Sequence, residues 1–168
     1  SYSGSAFRRT PLGGSHSMGF IFLRGESDGT SEVNQRLVFQ EGYIDISVAG
    51  DLLSIQVDGN TVEVPVPMEQ TCFSLVILSN MAKSNMIFFN QESRSKTLAY
   101  LNGKLLSSSN YKNHDLNTAS PRNPLRIAST STGRWYMPET VTPYLSTRVL
   151  TNKEIVESVH PDLRRACN

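Results

Sequence analysis

Two short stretches combine alternating apolar residues with a glycine-containing turn, and each predicts a β-hairpin. In "KTLAYLNGKLLSSSN" (96–110) the alternation stops at Asn102 and Gly103 and then resumes. In "LSIQVDGNTVEVPV" (53–66) the residues "DGN" interrupt the alternation in the same way. An Asn-Gly or Asp-Gly turn suits an antiparallel pair, because both central residues of that turn need a positive φ. The chain is therefore predicted to fold largely through antiparallel strand pairs.

Further apolar or alternating runs lie between turn signals, and they predict more strands. They occupy residues 17–25, 35–40, 43–50, 71–79, 85–89 and 124–130, with one or two more strands within 134–150. The long stretch 107–124 is predicted to be loop. Pro65 cannot donate a ladder hydrogen bond, so its strand is predicted to lie at a sheet edge. About ten short strands predict an all-β fold, an antiparallel two-sheet sandwich.

One short helix is predicted near the C-terminus, in "TNKEIVESV" (151–159). Thr151 and Glu154 have the three-residue spacing of a capping box. Ile155 and Val159 follow one helical turn apart, which gives the helix an apolar stripe. The predicted sandwich therefore ends in a single helix.

The overall charge excludes some classes of partner. The 168 residues carry a formal net charge of +1, and 18% of them are charged. Such a balance does not predict nucleic-acid binding. No apolar run approaches the roughly 20 residues of a membrane helix, so membrane insertion is not expected either.

Two cysteines, Cys72 and Cys167, lie far apart in the sequence. They form no CxxC pair, so a zinc or redox site is not favoured. Two free thiols and one long-range disulfide are both open, with free thiols preferred. A disulfide would tie the C-terminus to a core strand and contribute about 4–5 kcal/mol in the chain-entropy model.

The two ends of the chain differ from its middle in composition. Residues 1–15, "SYSGSAFRRTPLGGS", are rich in Gly and Ser and predict an extended N-terminal arm. We expect the sandwich to occupy residues 16–160 and a C-terminal tail to occupy 161–168. An arm of this kind can contact its own domain or a neighbouring subunit. The candidate contacts in the arm are Tyr2, Phe7, Arg8 and Arg9.

Two segments resemble the laminin G-like, or concanavalin A-like, lectin family. The first is the core strand followed by "TLAYLNGKLL", and the second is "PLRIAST" followed by "YLSTRVLTNKEI". Together they span about residues 71–158. The resemblance implies a jelly-roll sandwich. The chain departs from the family at Ala128, where Gly is common, and at Cys72 and Phe73, near the place of the usual Trp.

Calcium binding and catalysis are not expected, although members of this class do both. Acidic residues common in the family's last strands are missing around Tyr144, so no metal or other cofactor is predicted. Ca²⁺ is left as an option in the loops 25–32 and 110–117. The acids Glu26, Asp28 and Glu32 only loosely resemble the carboxylate pair of a glycoside hydrolase, which needs a rigid strand face. The three histidines, at 16, 114 and 160, are isolated and are interpreted as structural or solvated.

Binding residues are sought in the loops. Arg134, Trp135 and Tyr136, adjacent in "GRWYMP", are candidate ligand-binding residues. As strand neighbours, Trp135 and Tyr136 should point to opposite faces. At most one of the two rings is then free for a ligand, and the other packs in the core. Tyr111 and His114, in the long loop, are further candidates.

Three functions follow in order of preference. The first is a non-enzymatic binding or structural module of an extracellular or virion surface assembly, such as a phage or viral structural or receptor-recognition protein. Its partners would be protein subunits, a homo-oligomer among the options, docked through the arm. The second is a lectin-like domain that recognises surface glycans, and the third is a glycoside hydrolase.

Overall fold

In a computed structural model of the chain, residues 4–7, 16–26, 34–57, 60–66, 69–82, 93–106, 112–114 and 124–167 are described. Their strands are β1 Gly4–Phe7, β2 His16–Arg24, β3 Gln35–Gln40, β4 Ile44–Ala49, β5 Leu52–Val57, β6 Asn60–Pro65, β7 Cys72–Ala82, β8 Ser93–Leu101, β9 Lys104–Leu105, β10 Lys112–His114, β11 Leu125–Ala128, β12 Trp135–Tyr136 and β13 Tyr144–Ser146. The strands form two antiparallel sheets, and one short helix follows them near the C-terminus. The predicted all-β sandwich with one C-terminal helix is therefore confirmed.

Among the described residues, one sheet has six strands and the other has seven. The six-stranded sheet has the order β1-β11-β3-β4-β5-β6. The seven-stranded sheet has the order β10-β8-β7-β2-β12, with β13 also paired to β2 and β9 paired to β8. Pro65 lies on β6 at the end of its sheet, which confirms its predicted edge position.

The core lies between the sheets, and β2 and β7 are buried on both faces because the C-terminal helix covers their outer side. Phe20 and Phe22 of β2 and Phe73 of β7 are fully buried, as are Ile46 and Ile55 of the other sheet. The Phe22 and Phe73 ring centroids are 5.5 Å apart. Each fully buried side chain of this size contributes about 1.5–3 kcal/mol. Alternating strands such as β4 and β5 therefore supply one side of the core, and the continuously apolar β2 and β7 supply the other.

The Asn-Gly hairpin forms as predicted, between β8 and β9. Asn102 has a φ of 52° and Gly103 a φ of 81°, as the turn type requires. The Asn102 side chain also acts at longer range, because its Oδ1 accepts a 3.1 Å hydrogen bond from the backbone N–H of Ser74. The Asn102 N–H in turn donates to the Ser74 carbonyl at 3.0 Å. The turn therefore extends the pairing of β7 beyond the end of β8.

The C-terminal helix begins as predicted and runs further than predicted. Thr151 and Glu154 form the capping box. The helix runs through Asn152–Glu154, a π-helical stretch Ile155–Val159, His160–Arg164 and a 3₁₀ turn Arg165–Cys167. Pro161 does not end it, because Pro161 stands at the start of the segment that follows the π turn. A missing N–H is tolerated at such a position.

The outer face of the seven-stranded sheet is covered by this helix. Val159 and Leu163 lie so close to Gly19 of β2 that a Cβ there would approach them within 3.5 Å and 3.1 Å. Cys167, at the helix end, forms a disulfide with Cys72 of β7, with the Cα atoms 5.8 Å apart. The preference for free thiols was therefore wrong, because the helix carries the tail cysteine back to the core strand.

Two other segments form strands that the sequence does not predict. Gly4–Phe7 of the predicted arm forms β1 and pairs with β11 of the same chain, Phe7 opposite Leu125. Lys112–His114, within the predicted loop, forms β10 beside β8. Both pairings are non-local, so the local sequence pattern does not reveal them. The predicted strand 85–89 lies outside the described residues.

Candidate functional site

The outward-pointing side chains of the six-stranded sheet form a polar surface, here called the polar face. It arises from strand alternation: in β4, Ile44, Ile46 and Val48 are buried, whereas Asp45 and Ser47 between them are partly exposed. The members of the polar face used below are Arg36, Phe39, Asp45, Ser47, Ser54, Gln56, Glu63 and Arg126.

Strand pairing places four of these residues side by side in one row. Arg126 of β11 is paired with Phe39 of β3, and Phe39 with Asp45 of β4. Asp45 is in turn paired with Gln56 of β5. Because neighbouring strands lie about 4.8 Å apart, side chains in such a row are within reach of one bound molecule.

A depression of about 320 Å³ lies at one end of this face, beside the β3–β4 turn. Its walls combine aromatic rings, amides and one carboxylate. They are formed by Phe39, Gln40, Gly42, Tyr43, Ile44, Asp45 and Gln56. Its volume is at the lower end of the range for small-molecule sites. We refer to it as the polar depression.

One arginine organises the polar depression. The Arg36 guanidinium lies over the Phe39 ring, 3.9 Å from its centroid, in a cation–π contact. The same group donates to Asp45 Oδ2 at 3.3 Å. Arg36 and Asp45 keep 41% and 31% of their side-chain surface exposed, so this ion pair can be rearranged by a ligand at little cost.

Two buried polar atoms at the polar depression lack a hydrogen-bond partner within the described part of the chain. They are the Tyr43 hydroxyl and Asp45 Oδ1. A buried polar group without a partner costs about 1–3 kcal/mol, so such groups are uncommon. The Tyr43 ring points into the sandwich towards His16, so of these two atoms Asp45 Oδ1 is the one that belongs to the polar face. A ligand hydroxyl can donate to such a carboxylate oxygen.

A second depression, the helix groove, lies between the C-terminal helix and the loop before β13. Its volume is about 480 Å³. Its floor is apolar, formed by Pro143, Val159 and Leu163. Two charges at its rim, Asp162 and Arg165, pair with each other at 3.3 Å. The helix groove is therefore more apolar than the polar depression, although Thr140, Thr142 and Ser158 also line it.

Trp135 is fully buried and cannot offer its ring to a ligand, which corrects its place among the candidate binding residues. Its ring meets Phe73 edge-on at 4.7 Å, and the Arg24 guanidinium lies 4.9 Å from its centroid. The Gln35 side chain hydrogen-bonds the backbone of Trp135. Its Oε1 accepts from the Trp135 N–H at 2.9 Å, and its Nε2 donates to the Trp135 carbonyl at 2.7 Å. As alternation requires, the neighbouring Tyr136 is the more exposed of the two rings.

Arg134 is also buried, which argues against a role for it in ligand contact. Its guanidinium donates to the backbone carbonyl of Gly50. Phe7 and His114 lie on β1 and β10, so the structure places neither beside Trp135 in strand pairing. The other candidates, Tyr2, Arg8, Arg9 and Tyr111, lie outside the described residues.

Two of the histidines have structural surroundings, as the sequence indicated. His16 is buried, and its ring lies 5.3 Å from that of Tyr43. His160 Nδ1 and Ser74 Oγ are joined by a 2.6 Å hydrogen bond. Burial, and then the nearby Arg164, lower the pKa of His160. Ser74 is fully buried, so this pair fastens the helix to β7 rather than presenting a nucleophile.

Within the described residues, no group of three or more His, Cys, Asp and Glu side chains is arranged to hold a metal ion. Asp28, Glu32 and Asp115, from the two loops considered for Ca²⁺, lie outside those residues. No helix in the described part is long and apolar enough to cross a membrane.

The residues of the polar depression were not singled out by sequence reasoning, although one signal was present. That signal is the alternation within residues 43–50, which places Asp45 on the face opposite the apolar Ile44, Ile46 and Val48. Its meeting with Arg36 and Phe39 depends on the β3–β4 register, which contains a bulge between Arg36 and Val38. A bulge shifts the facing of the residues around it, so simple alternation does not predict this cluster.

Comparisons with known proteins give structural similarity only. The sequence matches no family model and no curated protein. The fold is similar to the botulinum neurotoxin serotype D/C binding domain (TM-score 0.59, 14% identity, 89% of this chain and 37% of that one). It is also similar to the neurotoxin DC binding domain in complex with rat synaptotagmin II (TM-score 0.53, 13% identity, 89% and 36%).

A third similar structure is of botulinum neurotoxin type C, whose cell entry is described as dependent upon interaction with two ganglioside molecules (TM-score 0.53, 14% identity, 89% and 36%). The chain spans little more than a third of the length of these structures. At such low identity the similarity shows a shared fold. It places the chain among β-sandwich domains and leaves its ligand to be argued from its own residues.

Proposed function

We propose that the chain is a non-enzymatic, extracellular binding module that recognises a glycan at the polar depression. The observation that carries the proposal is the cluster of Asp45, whose Oδ1 has no partner among the described residues, with the exposed Gln56 and the Arg36–Phe39 pair. Sugar hydroxyls both donate and accept, so a saccharide suits a carboxylate and an amide together.

Two further observations support an extracellular binding role. The Cys72–Cys167 disulfide is of a kind that persists in oxidising compartments. Among the structurally similar proteins, one is in complex with rat synaptotagmin II and another depends on interaction with two ganglioside molecules for cell entry. We therefore propose that this chain recognises a glycan or a receptor at a surface. We also propose that its relatives are the jelly-roll lectins.

A glycan array that carries neutral, carboxylated and sulfated oligosaccharides tests the proposal. We expect wild type to bind at least one class, and Gln56→Ala and Asp45→Ala to weaken that binding by about tenfold or more, since each removes a polar contact. Thr142→Ala, at the rim of the helix groove, is the control and should bind as wild type does. Wild type that binds no glycan would reject the proposal.

A second candidate function, docking in a larger assembly through the arm, is favoured by the position of β1. This strand is the last of its sheet in the described part of the chain. A strand at a sheet edge can pair with a strand of a neighbouring subunit. A phage or viral surface assembly, or a homo-oligomer, would use the edge in this way.

Light scattering after size-exclusion chromatography separates the two functions. If the arm mediates assembly, deleting residues 1–15 converts an oligomer into a monomer. If the full chain is already a monomer at the highest concentration tested, docking between copies of this chain through the arm is rejected. Glycan binding at the polar depression does not depend on that result, because none of its residues belongs to the arm.

A further inference from the structure

The polar depression has an aromatic ring that is not available for the usual contact with a neutral sugar. Neutral sugars are commonly held by stacking on an exposed ring. Here the Arg36 guanidinium occupies the Phe39 ring at 3.9 Å, held there by its bond to Asp45. The Tyr43 ring is almost fully buried beside His16. A ligand therefore meets a guanidinium where a neutral-sugar site would present a ring.

A second arginine stands in the same row. Arg126 is exposed and is paired across the strands with Phe39. Its guanidinium forms no ion pair within the described part of the chain. It therefore remains able to bind an anion, and guanidinium groups bind carboxylates and sulfates through two parallel hydrogen bonds.

The distances suit one saccharide unit. Arg126 and Asp45 lie two strands apart, so their Cα atoms are separated by about 10 Å, twice the spacing between strands. A six-membered sugar ring with an anionic substituent spans that gap. Its anion would meet Arg126 and Arg36, and a ring hydroxyl would donate to Asp45 Oδ1, the carboxylate oxygen that lacks a partner.

The charges on the polar face favour an anion. Around Phe39 there are two arginines and one carboxylate, and that carboxylate neutralises only Arg36. Glu63 of this face belongs to β6, three strands away from β3, and the exposed Glu41 lies in the β3–β4 turn. Neither forms an ion pair with Arg126 in the described part of the chain, so Arg126 is the positive charge in this row that a ligand anion can meet.

We infer that the glycan bound at the polar depression is an anionic saccharide, carrying a carboxylate or a sulfate group that Arg126 binds together with Arg36. This inference rests on the proposed glycan-binding function and names its ligand class. Arg126 is the residue that distinguishes an anionic sugar from its neutral parent.

An array of matched triplets tests the inference with the full-length protein. Each triplet contains a neutral oligosaccharide, the same core bearing a sialic or uronic acid, and the same core bearing a sulfate. We expect wild type to bind one of the anionic members at least about tenfold more tightly than the neutral member, as one charge-assisted contact provides. The member that binds identifies the anion as carboxylate or sulfate.

Two variants with equal changes in charge make the test specific. Arg126→Gln is expected to bind the anionic and neutral members of a triplet equally. Arg165→Gln removes the same charge from the C-terminal helix, on the other sheet, and is expected to bind as wild type does. Arg126→Lys keeps the charge without the two parallel hydrogen bonds and should fall between wild type and Arg126→Gln.

Three results would overturn the inference. If neutral members bind as tightly as anionic ones, the ligand class is wrong but glycan binding stands. If Arg126→Gln and Arg165→Gln weaken binding equally, attraction is due to overall charge and Arg126 is not a specific contact. If wild type binds no member of any triplet, the proposed function fails and this inference fails with it. Thermal unfolding of each variant establishes that it is folded.

Discussion

The outer face of one sheet is covered by the C-terminal helix, whereas the outer face of the other sheet is exposed. On the seven-stranded sheet the outer face carries Gly19 and Ser74, and the C-terminal helix lies on it. On the six-stranded sheet the outer face carries Arg36, Asp45 and Gln56, and these side chains remain at least partly exposed. Small and apolar residues accept a helix, whereas charged and amide side chains leave a surface that a hydrophilic ligand can use.

This contrast separates stability from recognition. The helix-covered face is fastened by a disulfide, by the Ser74–His160 hydrogen bond and by apolar packing. Changes there should lower stability and leave glycan binding unaltered at temperatures where the protein is folded. Changes on the polar face should do the reverse, because exposed polar substitutions usually alter stability by less than about 0.5 kcal/mol.

The largest effect on stability is expected from removing the disulfide. Cys72→Ala with Cys167→Ala releases a constraint between residues 95 positions apart, worth about 4–5 kcal/mol in the chain-entropy model. Urea unfolding of the double variant, followed by circular dichroism, measures the loss. Wild type treated with a thiol reductant is the matched control and should unfold at the same midpoint as the variant. If the double variant unfolds at the same urea midpoint as oxidised wild type, the disulfide does not stabilise the docked helix.

Trp135→Ala distinguishes core packing from ligand contact. Loss of the fully buried ring beside Phe73 should destabilise the fold by about 3–5 kcal/mol. Tyr136→Ala, a change of the half-buried neighbour, should cost clearly less. Urea unfolding measures both. If Trp135→Ala has normal stability but no longer binds glycan, the glycan site lies at Trp135 and not at the polar depression.

Gly103→Ala tests the contact between the hairpin turn and the helix. Gly103 has a positive φ, and a Cβ there would lie 2.9 Å from the His160 ring. The backbone cost alone is about 1–2 kcal/mol. Gly50→Ala, with a φ of 58° and nothing within 4 Å of the new Cβ, carries the backbone cost without the contact. Equal unfolding free energies of the two variants would show that the turn does not press on the helix.

The smallest effect concerns pH. Burial holds the pKa of His160 below its ordinary value of 6.5, so the unfolded chain binds this proton more readily than the folded one. The contribution of His160 to stability is therefore complete above about pH 6.5 and is lost as the pH falls towards the folded-state pKa. Arg164 acts in the same direction, whereas Ser74 and Gly103 facing the ring are uncharged.

Unfolding free energies of wild type and His160→Gln at pH 7.5 and pH 5 measure this effect. The difference between the two proteins should shrink at pH 5, because the protonated His160 no longer favours the docked helix. A difference that is the same at both pH values would contradict the assignment. The other histidines are present in both proteins and cancel in the comparison.

Local patterns predicted the elements well. The turn at Asn102 and Gly103, the edge position of Pro65 and the Thr151 capping box all follow from residues near one another in the sequence. The pairing of β1 with β11 and of Cys72 with Cys167 does not, because each joins distant segments.

The candidate site was beyond prediction for the same reason. Trp135, conspicuous as the one tryptophan, is used in the core. Arg36, Phe39 and Arg126 are ordinary strand residues until the order β11-β3-β4 brings them together. Strand order and the bulge in β3 are global properties, so composition and periodicity do not determine which polar side chains become neighbours.

The polar face is tested most directly by mapping a bound glycan on the protein. The highest-affinity oligosaccharide from the array is titrated into isotope-labelled protein, and backbone amide chemical shifts are recorded by NMR. We predict that the shifts concentrate on β3, β4 and β5 around Phe39, Asp45 and Gln56, with the C-terminal helix unaffected. Shifts confined to the helix groove, around Tyr144 and Ser158, would contradict the account.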